Sequence, residues 1–366
     1  MRDQIIVIGG YGHTGQMICR ALGATYPGKI FAAGRSMERA EQFCATTDGQ
    51  VLPLQLDIHS DWRPELFQNI RLVVMCMDQT DTAFVHACLS MGIHYVDISA
   101  NGAFLSQVEA LHPIALSQGA TAVLSVGLAP GLTNLLSRHA ADHMDETHEV
   151  DISVMLGLGD SHGKAAIEWT IDNMNTEYEV IEQGVPTTVS SFKDGKVIDF
   201  GQTLGRHTAY RFNFSDQHIL PRTLAIPTVS TRLCLDSAIV SRLLAWLRAA
   251  GVFRLLRFGP LRRAAVYLFS KLRAGEPVFA VKVDARGSVN NKPMYMEYML
   301  QGSSEAAMTA RVAAAIAALL YRVPMPQGVY HSEQLFQLQD ALGSELRDVP
   351  LSIRRNGEPF LGSGAS

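Results

Sequence analysis

Cysteine is scarce in this chain of 366 residues: the five present (Cys19, Cys44, Cys76, Cys88, Cys234) are odd in number and contain no Cys-x-x-Cys pair. A disulfide scaffold is excluded, no zinc or dithiol spacing exists, no metal is expected, and a reducing cytoplasm is the expected compartment. Charge is also sparse, 18% of residues against 47% hydrophobic, with only 15 prolines, which excludes a mainly disordered chain. There is no basic excess, the formal net charge being -4, so nucleic acid is not an expected partner. Long apolar runs are missing too. Met-Arg-Asp-Gln leads into a short apolar stretch ending in glycines, with neither the layout of a signal peptide nor the length of a membrane span, so neither export nor insertion is expected. Two absences are local: no acid stands at the end of the second predicted strand, and none between Ser237 and Gly275.

The length suits two domains. Ile5-Ile-Val-Ile8 is a β-branched apolar run bounded by glycine, the pattern of a strand buried on both faces. It feeds Gly9-Gly10-Tyr11-Gly12-His13-Thr14-Gly15 and then a periodic helix with Met17, Ile18, Ala21 and Leu22 on its apolar side. Strand, glycine turn and helix in that order read as a dinucleotide site. Gly9 allows the tight turn, Gly12 lets the backbone approach a pyrophosphate, Gly15 permits close helix packing, and the helix N-terminus holds the phosphate charge.

The predicted second strand, Lys29–Ala33, ends in Gly34-Arg35-Ser36, where an NAD enzyme would place an acid for the ribose 2′-hydroxyl. Arg35 and Ser36, with Arg39 one turn into the next helix, supply charge-assisted and hydroxyl bonds suited to a 2′-phosphate, so NADP(H) is expected over NAD. The alternation continues through 51–56, 72–77, 93–98 and 121–126, with helices at about 80 to 91 and 103 to 118. Six strands with crossover helices predict an α/β fold, a Rossmann-type doubly wound parallel sheet. Asp57 and Ile58 follow the third strand, where such folds contact adenine, and Cys76 and Met77 end the fourth, beside the path of the cofactor. Cys76 reads as wall rather than nucleophile, since no base lies near it in sequence.

Four segments carry a family resemblance. Gly92-Ile-His-Tyr-Val-Asp97-Ile-Ser99 and Gly127-Leu-Ala-Pro130-Gly131-Leu-Thr-Asn134 resemble motifs of saccharopine-dehydrogenase-like oxidoreductases. His162-Gly-Lys-Ala-Ala-Ile-Glu-Trp169-Thr170-Ile-Asp-Asn173 is similar to the entry helix of their second domain, and Gly328–Leu335 to their closing segment. That family includes saccharopine reductases, carboxynorspermidine dehydrogenase and homospermidine synthase. The resemblance implies hydride transfer between a nicotinamide and the C–N bond of an amino-acid-derived imine or amine. The strand ends at Cys76 and Met77, Ser99 to Asn101, and Gly127 to Gly131 with Pro130 among them are expected to converge around the nicotinamide, because ligands in open α/β sheets bind beyond the carboxyl ends of strands, and Asp97, His162, Trp169 and Thr170 are the catalytic candidates. Two other readings stay open: reduction of a C=C or C=O bond in a carrier-bound or lipidic intermediate, and a non-catalytic NADP(H)-sensing regulator.

Domain boundaries follow from the pattern. Residues 1–130 form the cofactor domain, rejoined by about 326–350; 131–325 form an α+β substrate and homodimerisation domain with a mixed or antiparallel sheet; 351–366 read as a flexible tail. Between Ser237 and Gly275 stand eight basic residues, Arg242, Arg248, Arg254, Arg257, Arg262, Arg263, Lys271 and Arg273, interleaved with Leu, Phe, Trp246 and Tyr267. They read as two cationic amphipathic helices around Gly259-Pro260. Either Arg stems cover an apolar face, or the segment 237–275 meets an acidic carrier protein, a membrane surface or an anionic substrate.

Overall fold

In the computed structural model, which describes residues 2–60, 64–160, 163–271, 275–342 and 351–360, the run Ile5–Ile8 lies in β1 (Gln4–Ile8) at the middle of a parallel sheet. Its four side chains are at most 1% exposed, as a strand covered on both faces demands. The chain forms two compact units, Met1–Leu132 with Ala306–Gly343, and Thr133–Glu305 with Ser344–Ser366.

The first unit proceeds by strand and crossover: α1 (His13–Thr25), β2 (Ile30–Gly34), α2 (Met37–Cys44), β3 (Val51–Gln55), β4 (Ile70–Met75), α3 (Ala83–Ser90), β5 (His94–Asp97), α4 (Gly102–Glu109), α5 (His112–Gln118) and β6 (Thr121–Leu124). The single helix predicted at 103–118 is two helices, because Pro113 cannot continue α4 and instead sits in the first turn of α5.

The second unit begins with α6 (Thr133–Ala141) and the long β7 (Glu146–Leu156), then α7 (Lys164–Asn173). The hairpin β8 (Glu177–Glu182) and β9 (Val185–Ser190) stands apart as its own two-stranded sheet. Next come β10 (Lys196–Asp199), α8 (Gly201–Leu204), β11 (Arg206–Arg211), α9 (Asp216–Thr223), β12 (Val229–Leu235), α10 (Ala238–Ala249), α11 (Gly259–Lys271), β13 (Val278–Val289) and β14 (Lys292–Ser303). The chain returns through α12 (Glu305–Arg322) and β15 (Gly328–His331), and closes with the strands β16 (Leu351–Arg355) and β17 (Glu358–Pro359).

The first sheet has the order β15-β6-β5-β4-β1-β2-β3, all parallel, with a reversal of winding at β1 and β4. Its seventh strand, β15, pairs with β6 through Gly328 opposite Thr121 to His331 opposite Leu124. A buried chain of bonds holds it there: Ser125 Oγ lies 2.8 Å from His331 Nδ1, and His331 Nε2 lies 2.7 Å from Glu109 Oε1. From Ala306 onward α12 also belongs to this unit, whereas the pattern-based boundary left 305–320 in the second domain. Its ties are specific. Thr309 Oγ1 accepts from the N–H of Leu128 at 3.1 Å, and the Tyr321 hydroxyl donates to the carbonyl of Asp3 at 2.9 Å.

The second sheet is mixed, in the order β10-β11-β12-β7-β13-β14-β16-β17, with only β12 and β7 parallel. Residues 351–360, read from sequence as part of a flexible tail, instead extend this sheet as its edge, β16 pairing antiparallel with β14 from Leu351 opposite Leu300 to Arg355 opposite Met296. The unpaired edge of β14 supplies the backbone partners that a lone pentapeptide lacks. On β7, Val150, Ile152 and Val154 share one buried face, and Asp151 and Ser153 the other. Asp151 is the hub of that second face. It meets Lys196, Ser230, Arg232 at 3.2 Å and Arg286 at 3.4 Å. Burial alone would raise its pKa, but bonds from Lys196 and Ser230 and the charge of Arg232 reverse this and hold it at about 2.

Candidate functional site

The first unit contains a groove of about 330 Å³ beyond the carboxyl ends of β1, β2, β3 and β4. It is lined by Ile8, Gly9, Tyr11, Gly12, Gly34, Arg35, Arg39, Leu56, Asp57, Ile58, His59, Cys76 and Met77. Nine predicted cofactor residues meet there: Gly9, Tyr11, Gly12, Arg35, Arg39, Asp57, Ile58, Cys76 and Met77. His13 and Thr14 instead open α1, and Gly15 is buried beneath the loop.

The glycine loop is shaped by contacts that a side chain would break. Gly9 has φ +75°, and a Cβ there would come 2.8 Å from Met77 Cγ. At Gly15 it would stand 2.2 Å from the carbonyl oxygen of Gly9, so α1 packs directly on the turn. Helix α1 starts after Gly12 with no side-chain cap and no acid in its first turn. Its terminal N–H groups are therefore suited to an anion rather than already paired with a carboxylate.

At the end of β2 the aromatic ring of Tyr11 lies across Gly34, where a Cβ would be 2.4 Å from the phenol oxygen. That oxygen accepts the N–H of Ser36 at 2.9 Å, and the guanidinium of Arg39 sits 4.9 Å from the ring centroid. Ser36 caps α2 by accepting from the N–H of Arg39 at 3.3 Å. The loop and the strand end are thus one construction: Tyr11 positions Arg39, while Arg35 lines the groove beside it with no acid from β2. Asp57 is held by its own turn, Oδ1 accepting the N–H of His59 at 3.0 Å. His59 is a lining residue that sequence reasoning missed, and the Asx turn set by Asp57 is the signal that points to it.

Cys76 continues the strand pairing, its N–H donating to Ile8 at 3.0 Å. Burial, reinforced by the charge of Asp97, pushes its thiol pKa well up, so it stays a neutral wall. Asp97 itself is closed to solvent. Oδ1 accepts the N–H of Ser99 at 2.7 Å; Oδ2 accepts the Tyr95 hydroxyl at 2.7 Å and Gln79 Nε2 at 3.3 Å. With both oxygens engaged, this candidate catalytic residue organises the segments that follow β4 and β5. Burial raises its pKa to about 6, against the lowering effect of Tyr95 and the Ser99 N–H. Ser99 is itself buried and turns its hydroxyl to the N–H of Asn101 at 3.2 Å. Gly127 and Pro130 lie in the irregular turn before α6, and neither lines the groove.

In the second unit Trp169 is a packing residue, its ring centroid 5.4 Å from Phe212 and 5.2 Å from Phe214. Thr170 returns its hydroxyl to the carbonyl of Ala166 at 2.8 Å. His162 lies outside the described residues. Among the described residues no three His, Cys, Asp or Glu side chains gather as a metal-binding set.

The groove fits a dinucleotide: a bare glycine turn on an uncapped helix N-terminus, the guanidiniums of Arg35 after β2 and Arg39 in the first turn of α2, and an apolar wall after β4. Residues 5–123 match the family model of the saccharopine dehydrogenase NADP binding domain. None of the curated proteins matches the chain in sequence. Among solved structures, the chain superposes on apo saccharopine dehydrogenase (L-Glu forming) from Saccharomyces cerevisiae with a TM-score of 0.69 at 12% identity, over 96% of this chain and 99% of that one. At that identity the likeness is one of fold. C. glutamicum DAP dehydrogenase in complex with DAP gives a TM-score of 0.47 at 13% identity, over 95% of this chain and 98% of that one.

Proposed function

We propose that this chain, whose residues 5–123 match a saccharopine dehydrogenase NADP binding domain, is a saccharopine-dehydrogenase-like oxidoreductase that transfers hydride from NADPH to the C=N bond of an amino-acid-derived imine, or runs the reverse dehydrogenation. The observation that carries the reading is the fold shared with yeast saccharopine dehydrogenase along nearly the full length of both chains, joined to the family match of the nucleotide domain. NADP(H), when bound, supplies or accepts the hydride.

The residues of this chain then have separable tasks. Arg35 and Arg39 would hold the 2′-phosphate by charge-assisted bonds, with Tyr11 fixing Arg39 in place. The N–H groups at the start of α1 would hold the diphosphate, for which Gly9 and Gly12 leave the loop free of side chains. Cys76 and Met77 form the apolar wall after β4. A protonated imine is already electrophilic, so the protein's main work is orientation and exclusion of water rather than supply of a strong acid.

The test is a screen of NADPH oxidation with paired amines and 2-keto acids and with cyclic imines. Turnover of one such pair, absent with either component alone, supports the reading. Turnover only with conjugated or simple carbonyl compounds would replace it by reduction of C=C or C=O bonds. Tight NADPH binding with no turnover of any class would leave the sensor.

A further inference from the structure

The segment between Ser237 and Gly275 turns an apolar surface outward. Within α10 only Ser241 and Arg248 are buried, while Ile239 is 79%, Leu243 49% and Trp246 64% exposed. Their spacing puts all three on one face of the helix. The turn Val252–Arg257 adds Val252 and Leu255, Phe258 follows, and α11 has no buried residue and exposes Leu261, Tyr267 and Leu268. Of the 14 large hydrophobic side chains exposed among the described residues, nine lie between 239 and 268. Single exposed apolar residues are ordinary; nine in one short segment mark an interaction surface. A helix of a globular protein normally turns its apolar stripe to the core.

The inward side is occupied. Helix α10 packs on β11 and β12, and α11 on α7, where Arg262 makes paired bonds of 2.6 and 2.7 Å to Asp172. Phe253 and Arg248 are buried beneath. Exposed cations are interleaved with these apolar side chains along the segment. Arg242, Arg254, Arg257, Arg263 and Lys271 are all exposed, and no acid occurs between Ser237 and Gly275. Arg257 lies 4.9 Å from the ring centroid of exposed Phe258, and Lys271 5.7 Å from that of exposed Tyr267.

We propose that α10, the following turn and α11 form a docking site for the surface of an anionic lipid bilayer. Apolar and aromatic side chains enter the headgroup boundary, and the arginines and Lys271 meet lipid phosphates. Charge complementarity selects this occupant. A second copy of the chain meeting the patch with the same patch would bring cation against cation, whereas an anionic bilayer offers negative charge and apolar depth over the whole surface. Helices of 12 and 13 residues reach only about 18 to 20 Å, so they lie on the membrane rather than cross it. No helix among the described residues is long and apolar enough to cross a membrane. The inference is independent of which bond the cofactor reduces.

The test is flotation of the full chain with phosphatidylcholine vesicles, with and without about 30% phosphatidylserine. The unmodified protein should float with the anionic vesicles at least ~10-fold more strongly than with the neutral ones, and high salt should weaken this. Trp246→Ser with Leu268→Ser, and separately Arg254→Glu with Arg257→Glu and Arg263→Glu, should each lower binding by ~10-fold or more. Both variants should keep the circular dichroism spectrum and the cooperative urea transition of the unmodified protein, which controls for folding of the second unit, and should keep NADPH affinity, which controls for the first. Absence of flotation by the unmodified protein, or equal flotation of the variants, would overturn the proposal. So would sedimentation showing that the unmodified protein self-associates through this patch and the Trp246→Ser, Leu268→Ser variant does not. Capture of an acidic acyl carrier protein without vesicle binding would overturn it in favour of that partner.

Discussion

Arg35 and Asp97 illustrate opposite fates of charged residues placed at strand ends. Arg35 lines the groove, and its candidacy was legible from an absence, since no acid follows β2. Arg35→Ala should weaken NADPH binding by roughly 10- to 100-fold, the scale of a lost charge-assisted bond, while NADH affinity changes little; calorimetric titration of both cofactors checks this. Equal losses for the two would show that Arg35 does not read the 2′-phosphate. Asp97 was legible as a position and not as an environment. Its pKa of about 6 stands above the ordinary unfolded value, so the native state binds the extra proton between about pH 4 and pH 6. Stability from this group is therefore full below about pH 4 and is lost as pH rises through about 6, by roughly 3 kcal/mol in total. Urea melts across that window should show the slope, and Asp97→Asn should flatten it. An unchanged slope in the variant would assign it to other groups.

Elements of this chain depend on partners far away in sequence. Strand β15 is four residues long and holds its place by pairing with β6 and by the chain Ser125, His331 and Glu109. His331→Ala removes the partner of the buried Ser125 hydroxyl and should cost about 1 to 3 kcal/mol, read by denaturant midpoint at constant slope. A cost near zero would mean that backbone pairing alone seats the strand. In the second sheet Asp151 ties β7 to β10, β12 and β13. Its pKa of about 2 lies below the ordinary value, so its contribution is present above about pH 4 and is lost as pH falls towards 2, by roughly 2 kcal/mol. Acid unfolding of Asp151→Asn should lack that component. The α4–α5 break shows why a helix boundary inside 103–118 escaped pattern reading: apolar periodicity runs through it, and only Pro113 interrupts the backbone bonds.

On the scale of the molecule, residues 5–124 and 328–331 share one sheet although about 200 residues separate them. Hydrogen exchange should show the amides of β15 protected together with those of β6, and NADPH at about 100 times its Kd should add up to roughly 2.7 kcal/mol to both. Independent exchange of β15 would show that the returning segment is not part of the same cooperative unit. The net charge of -4 is likewise an average over unlike parts, since most of the described cations of 237–275 are exposed on α10, α11 and the turn between them, with no acid in the segment. Much could be read along the chain alone: the glycine turn after β1, the parallel sheet, the 2′-phosphate preference and the cationic helices all rest on neighbours within a few positions. Those features are local, since backbone freedom, strand burial and helix termini are properties of short segments. Folding in three dimensions decided the rest. That Asp97 is fully hydrogen-bonded, that Tyr11 carries Arg39, that 351–360 extends a sheet and that the stripe on α10 faces outward all depend on contacts between distant segments. The pattern of a helix shows that one face is apolar; only its packing decides which way that face turns.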